Sequence, residues 1–429
     1  MTGLRDHPER YALANELHAR PFPAVAAPAR AAYLALKPVA GADGRDKAAD
    51  RAHLIALLDR FGAAHPQPDA THYWGRLGRF SLKWESHTEF VTYTLFDAGV
   101  ADRPFDAATF AAFPEDWLAA APGARITSAL IRVEREADPE AIAARLGAWF
   151  VPESLAVARV LDGELTVASD FRIDEAGHVR IAVFAGPEAG ERRTGRVVQR
   201  LCEIETYKTM SMLGFARARD LRPTMSRLEA RLSALVTGMT GAGSDAEATL
   251  RDLLAISSEL ERMIGETSFR FGATGAYREL VNQRVAVLRE ERFGGRQTLA
   301  EFMMRRFDPA MRTVVSTQSL IESMSARATR AAELLRTQVD VERSAQNQKV
   351  RESMDRRADL QLRLQHTVEG LSVVAISYYA VGLALYLLGP FAEPLGIAKP
   401  WLAALVTPLV ILGVWAMVRR IRLRMGRDE

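Results

Sequence analysis

The sequence predicts an α+β cytoplasmic domain followed by a long-helix stalk and a C-terminal two-helix transmembrane hairpin. Three observations carry that expectation. Two apolar stretches near the C-terminus hold no charged residue, a proline-free interval of about 80 residues runs into and through most of the first of them, and residues 30–190 alternate β-rich with helical segments. With 429 residues, 48% hydrophobic and 25% charged, the chain has apolar material for two or three folded units and is not of disordered composition. The net charge of +3 is close to balance and gives no support to a nucleic-acid partner. The single cysteine, Cys202, excludes an internal disulfide, a paired-thiol redox site and a Cys-rich zinc centre, and fits a reducing compartment.

Taken in order, residues 1–29 read as an N-terminal arm. Arg5, Asp6, Glu9, Arg10 and Glu16 deny it the apolar core of a secretory signal. The segment from His7-Pro8 through Asn15-Glu16-Leu17-His18-Ala19-Arg20-Pro21 is dense in hydrogen-bonding groups, so His18 and Arg20 are candidates either for a ligand cradle or for docking the arm on the body. Pro21, Pro23 and Pro28 make the link that follows extended and stiff.

Residues 30–192 form the α+β domain. Strands are expected at 32–37, 73–84, 89–96, 126–134, 164–171 and 178–184, with helices at 46–61 and 139–150. Asp162-Gly163, between 157–161 and 165–168, is the clearest hairpin turn, while the strand order is not legible. Residues 193–308 read as helical, with a joint at 237–245 and turns near 272–275 and at Gly294-Gly295.

The long stalk helix, 309–369, is expected to start with Asp308 as N-cap and Pro309 at the first helical position. Gly389-Pro390 is the expected stop, beyond the first span. Val314, Ile321, Ala328 and Leu335 recur every seven residues beside Met324 and Ala331, which resembles a coiled-coil seam and predicts helix association, with the helices of 193–308 as available partners. From Glu342 the pattern turns polar, and Asn347 lies there either on a solvated surface or in a water-filled vestibule.

Residues 370–392 and 400–418 are each long enough to cross a hydrocarbon core of about 30 Å at about 1.5 Å per residue. A short outer loop, 393–399, joins them, and a basic tail, 419–429, follows. Arg419, Arg420, Arg422 and Arg424 after the second span, with Arg356, Arg357 and Arg363 before the first, place both termini on the cytoplasmic side of a bacterial inner membrane. Within the first span Ser372, Tyr379 and Tyr386 form one sevenfold row, and Ala375, Gly382 and Gly389 another, which suits helix packing or a pore lining.

Chemical motifs are sparse. Glu85, His87 and Glu89 share one face of an extended chain and are the candidates for a metal or acid–base site, set against a solvated or hydrogen-bonded strand surface. The sequence contains no Walker loop, dinucleotide fingerprint, G-x-S-x-G elbow or HExxH helix, so no catalytic residue and no cofactor is assigned.

The His7-Pro8 and Asn15 to Pro21 elements, with Leu364-Gln365-His366-Thr367-Val368-Glu369-Gly370-Leu371-Ser372 continuing through Tyr378-Tyr379, resemble an uncharacterised bacterial family of predicted membrane-anchored proteins, domain of unknown function 3422. That resemblance covers nearly the whole chain and implies membrane attachment without an assigned activity. The order of α+β domain, stalk, span, short loop, span and basic end is also similar in architecture to CorA-type magnesium channels. Their Gly-Met-Asn tripeptide is absent, its place reading Leu388-Gly389-Pro390, so magnesium selectivity is not implied. The expected function is a membrane-anchored oligomeric scaffold or ligand-binding assembly. The alternative is a CorA-like homo-oligomeric channel for an ion or small solute. The expected partners are the lipid bilayer and further copies of the chain.

Overall fold

The computed structural model describes residues 5–11, 13–14, 22–39, 45–239, 245–392 and 398–425. They fall into two compact units, a body built from residues up to 239 with 251–332, and a second unit of 245–250 with 333 onward.

A mixed sheet organises the body. Its described strands are β1 (Ala29–Lys37), β2 (His72–Leu77), β3 (Phe80–Ser86), β4 (Val91–Ala98), β5 (Ala124–Arg135), β6 (Ala156–Val160), β7 (Leu165–Ser169), β8 (Val179–Ala185) and β9 (Glu291–Arg292). They lie in the order β2-β3-β4-β1-β5-β8-β7-β6-β9. Neighbours run antiparallel except β5 and β8, which run parallel. The expected strand at 73–84 is two strands, because Gly78, at φ +59°, turns the chain so that Leu77 pairs with Phe80. The hairpin at Asp162-Gly163 is present, with both residues at positive φ and Val160 paired with Leu165.

Alternation along the strands gives the sheet two apolar faces. On one, Leu34, Leu82, Trp84, Tyr93 and Leu95 pack under helix α1 (Lys47–Arg60), a 3₁₀ turn at Ala107–Ala112 and helix α2 (Glu115–Ala119). Asp46 caps α1 by accepting from the amides of Ala48 and Ala49. His53 of α1 stacks on Trp117 at 3.9 Å, and its two ring nitrogens meet the Tyr93 hydroxyl (3.1 Å) and the Trp117 carbonyl (2.9 Å). Helix α3 (Pro139–Trp149), capped by Asp138, covers the far end of this face through Ile142 and Leu146. Phe293, next to β9, joins that cluster, and the amide of Val157 in β6 donates to the Gln297 carbonyl.

The opposite face carries Ala31, Tyr33, Ile131, Ile181 and Val183 against Val197, Val198, Leu201 and Ile204 of helix α4 (Glu191–Gly238). Helix α5 (Ala246–Ala286) runs through the glycines at 272 and 275, where turns are expected from the sequence; both residues keep helical geometry inside one 41-residue helix. Gly214 of α4 lies so close to α5 that an added Cβ overlaps the Thr274 hydroxyl.

The long helix starts earlier than Asp308. Thr298 caps a short helix α6 (Leu299–Phe302) in a reciprocal box with Glu301, and a π turn at Met303–Phe307 leads into helix α7 (Asp308–Ala392). Asp308 is itself in helical conformation and donates its amide to the Met303 carbonyl, so it is no N-cap. Pro309 lacks a backbone N–H, and the wider π spacing lies directly before it. At the other end the helix passes through Gly389-Pro390 to Ala392 instead of stopping there. The expected association seam is consumed inside this chain: Val314, Ile321, Met324 and Ala328 are at most 2% exposed. Ser325 of α7 donates to Glu261 of α5 at 2.7 Å, which fixes α7 beside α5 within the body.

In the second unit, Arg343 of α7 pairs with Glu247 at the start of α5. Every residue from Asp340 to Val368 is then exposed. The last helix, α8 (Lys399–Met425), contains Pro408. Its most covered positions, Val406 and Val414, and Ser377 of α7 fall on one side of their helices.

Candidate functional site

The turn between β3 and β4 concentrates buried charge. β3 ends at Ser86, and the His87 amide donates to the Phe90 carbonyl at 2.9 Å, so Glu85, His87 and Glu89 do not continue one extended face. Arg45, placed just ahead of α1, holds this turn from below: its guanidinium donates to Asp50 (2.8 Å), to the Ser86 hydroxyl (2.9 Å) and to the His87 carbonyl. A buried guanidinium with three acceptors is well compensated, and it ties the hairpin to the first turn of α1.

The two carboxylates go to different partners. Glu85 points beneath α4 and pairs with Lys83 at 2.9 Å. In the same layer the Tyr33 hydroxyl meets Thr206 at 2.5 Å, Thr127 donates to Glu205 at 3.2 Å, and Lys208 pairs with Glu205 at 2.9 Å. Burial, with nearby negative charge, raises the pKa of both Tyr33 and Cys202, so both stay neutral and protonated. The space between these groups is about 20 Å³, the room of a single water molecule, too small for an organic ligand.

Glu89, 3% exposed, instead faces α5, where Arg270 pairs with it and the Tyr277 hydroxyl donates to it at 3.0 Å. Burial and the Glu89 charge raise the Tyr277 phenol, which keeps its proton and remains a donor. The Lys37 amine at the end of β1 is held below its ordinary range by burial first and by Arg270 second. His87 stacks on Phe90 at 4.4 Å, and Tyr207 of α4 stacks on Tyr277 at 5.7 Å, so four rings from three elements form one aromatic ledge.

That ledge floors a cleft of about 640 Å³, within the range of small-molecule sites. Lys47 and Arg51 of α1 and Asp69 of the loop before β2 form its rim, with Thr71, Ser86 and Thr88 offering hydroxyls. Two cations against one carboxylate, over a ring floor, suit a flat or apolar ligand carrying negative charge. Among the described residues no group of three His, Cys, Asp or Glu side chains is placed to hold a metal ion. Glu85 and Glu89 each already face a cation, so with His87 they assemble no metal site.

The remaining candidates lie elsewhere. His18 and Arg20 fall outside the described residues. Asn347 stands on the exposed stretch of α7. Ser372 donates to the Val368 carbonyl one turn back at 2.8 Å, and Ala375, Tyr379 (71%) and Tyr386 (87%) are exposed, so this row does not pack on α8. Gly382 and Gly389 are half-buried with open space where a Cβ would stand. Arg419 lies over the Trp415 ring at 5.2 Å, with Arg420, Arg422 and Arg424 following in the last turns of α8.

Arg45, Arg270, Tyr207 and Tyr277 were not legible as site residues, since each reaches the turn from a distant segment. One signal was present: Arg270, Thr274 and Tyr277 at i, i+4 and i+7 mark a polar helical face, and it is this side of α5 that meets α4 and the β3–β4 turn.

A family model described as a protein of unknown function, DUF3422, matches residues 5–425. No curated protein and no solved structure matches the chain, so the architectural likeness to CorA-type channels finds no structural counterpart.

Proposed function

The chain belongs to the DUF3422 family, and on that footing we propose that it is a membrane-anchored protein whose body offers the His87 cleft to a small anionic ligand, held at the inner membrane by α8 and the end of α7. One observation carries the anchoring. Two helices are long and apolar enough to cross a bilayer, yet only 6% and 11% of their most apolar 18-residue stretches are buried. A core helix of a soluble protein is mostly covered, and a signal sequence lies at the other end of a chain. Ten large apolar side chains from Leu371 to Phe391 and seven from Trp401 to Met417 are exposed. Leaving them in water costs on the order of 25–50 kcal/mol at about 1.5–3 kcal/mol each, against a typical folding stability of about 5–15 kcal/mol. Lipid removes that cost.

The arginines that end α8, and those preceding the first span, favour an orientation with both termini cytoplasmic. The test is fractionation. The full-length chain is expected in the ultracentrifuge pellet after alkaline carbonate washing and in the supernatant only with detergent. A variant ending at residue 369 is expected in the soluble fraction. Full-length protein that stays soluble without detergent overturns the proposal.

A channel is the second reading, favoured by the outward row of Ser372, Tyr379 and Tyr386. Ion flux into liposomes carrying the pure protein, lost on Ser372→Trp, is what that reading requires.

A further inference from the structure

The seam that the sequence offered for helix association is used up within the body, but a second one stands free. Asn347, Met354, Gln361, Val368, Ala375 and Gly382 recur every seven residues along α7, and Val350, Arg357, Leu364, Leu371 and Tyr378 form a parallel row three residues further on. The two rows interlace at the three–four spacing of a left-handed coiled coil. Their large apolar members Val350, Met354, Leu364, Val368 and Leu371 are 55–67% exposed.

The free seam begins where intrachain cover ends. Val339 is the last buried side chain on the stalk among the described residues, and Arg343 makes the last ion pair to a neighbouring helix. Inside the first span the seam also points away from α8. At about 100° per residue, Ala375 and Tyr378 lie roughly 100–160° round the helix from Ser377, the position covered there.

We infer that this face pairs with the same face of a second copy, parallel and in register, as a two-stranded coil running from Asn347 into the first span. The inference rests on the membrane-anchored reading, because the bilayer fixes the direction. Copies inserted with one topology present their stalks the same way round, so each residue meets its twin. Asn347 supplies the register: at a core position its amide is satisfied by the twin amide only when the strands align, and a buried asparagine there favours two strands. Ala375 and Gly382 continue the seam in lipid, where small residues let helix backbones approach. Arg357 and Gln361 weaken the middle of the seam. Ser353 and Ala358 beside Arg357 are small, leaving room for the like-charged heads to swing out to water while their stems cover the interface.

Cysteine scanning of the full-length chain in native membranes tests this. Cys202 is buried, so the parent chain is expected to give no cross-linked dimer. Under mild oxidation Val350→Cys, Leu364→Cys and Val368→Cys are expected to form same-residue disulfide dimers. Glu352→Cys, Asp355→Cys and Asp359→Cys, on the outer side, are expected to yield at least about five-fold less, because their Cα atoms are held too far apart to bridge. Equal yields around the helix, no dimer at any seam position, or seam cysteines joined to a different protein overturn the pairing while leaving the anchor intact. A chain recovered in the soluble fraction overturns the anchor on which the pairing rests.

Discussion

Replacing Arg270 by methionine removes the guanidinium from Glu89 while keeping most of the side-chain volume. The Glu89 side chain is 2% exposed and that of Arg270 15%, so the carboxylate left behind cannot be rehydrated without opening the contact between the turn and α5. Stripping one partner from a buried pair typically costs about 3–5 kcal/mol. The Tyr277 hydroxyl remains as a donor and the Lys37 amine stands in the field of Glu89, which sets the expectation at the lower end, about 3 kcal/mol. For a body of this size that corresponds to a fall of about 4–5 °C in the midpoint of thermal unfolding. Adding Glu89→Gln removes the orphaned charge and preserves an acceptor for Tyr277, so the double variant is expected to be more stable than Arg270→Met alone, with a coupling of about 2 kcal/mol. Circular dichroism of the detergent-solubilised full chain reads both quantities. A loss below about 1 kcal/mol for Arg270→Met, or strict additivity of the two changes, refutes the view that this pair fastens the turn.

The same melts test other features. Gly214→Val drives a side chain into Thr274 where α4 and α5 touch and is expected to cost about 2–3 kcal/mol or more, whereas Gly272→Ala, with open space around it in α5, gains about 0.5–1 kcal/mol. His53 titrates below its ordinary range, chiefly because it is buried, so the unfolded chain binds a proton more readily. Its contribution is therefore complete above about pH 6.5 and is lost as pH falls through the lower folded value; His53→Gln is expected to flatten the decline in melting temperature on that acid side. Arg45→Ala leaves Asp50 buried without its cation and is expected to cost about 3 kcal/mol and to loosen the Ser86–Phe90 turn, read as faster amide exchange at His87.

Local chemistry made much of this fold legible. The apolar periodicity of 46–61 and 139–150 announced two helices, and Asp162-Gly163 announced its hairpin, because each signal acts within a few residues. The strand order was not legible, since β1 between β4 and β5, and β5 parallel to β8, are settled by long-range packing that leaves no short-range pattern. Proline and glycine misled in both directions. Gly78 broke a strand that otherwise alternated well, whereas Gly272, Gly275 and Pro390 were absorbed by helices whose neighbouring residues propagate strongly. The sevenfold row from Val314 to Leu335 was read correctly as an apolar seam, but periodicity names a buried face and not its partner. The Glu85–His87–Glu89 triplet shows the same limit: spacing assumes an extended chain, and one tight turn sent its two carboxylates to opposite neighbours.

The two-residue strand β9 has a consequence for synthesis. It covers the outer edge of β6 but leaves the ribosome about a hundred residues after β8, a delay of about 5–20 s at typical synthesis rates of about 5–20 residues per second. Throughout that delay the nascent sheet presents unpaired amides and carbonyls along β6, an open template for another chain. Fragments that terminate before Glu291 should therefore collect on chaperones or in inclusion bodies, even though eight of the nine described strands are already made.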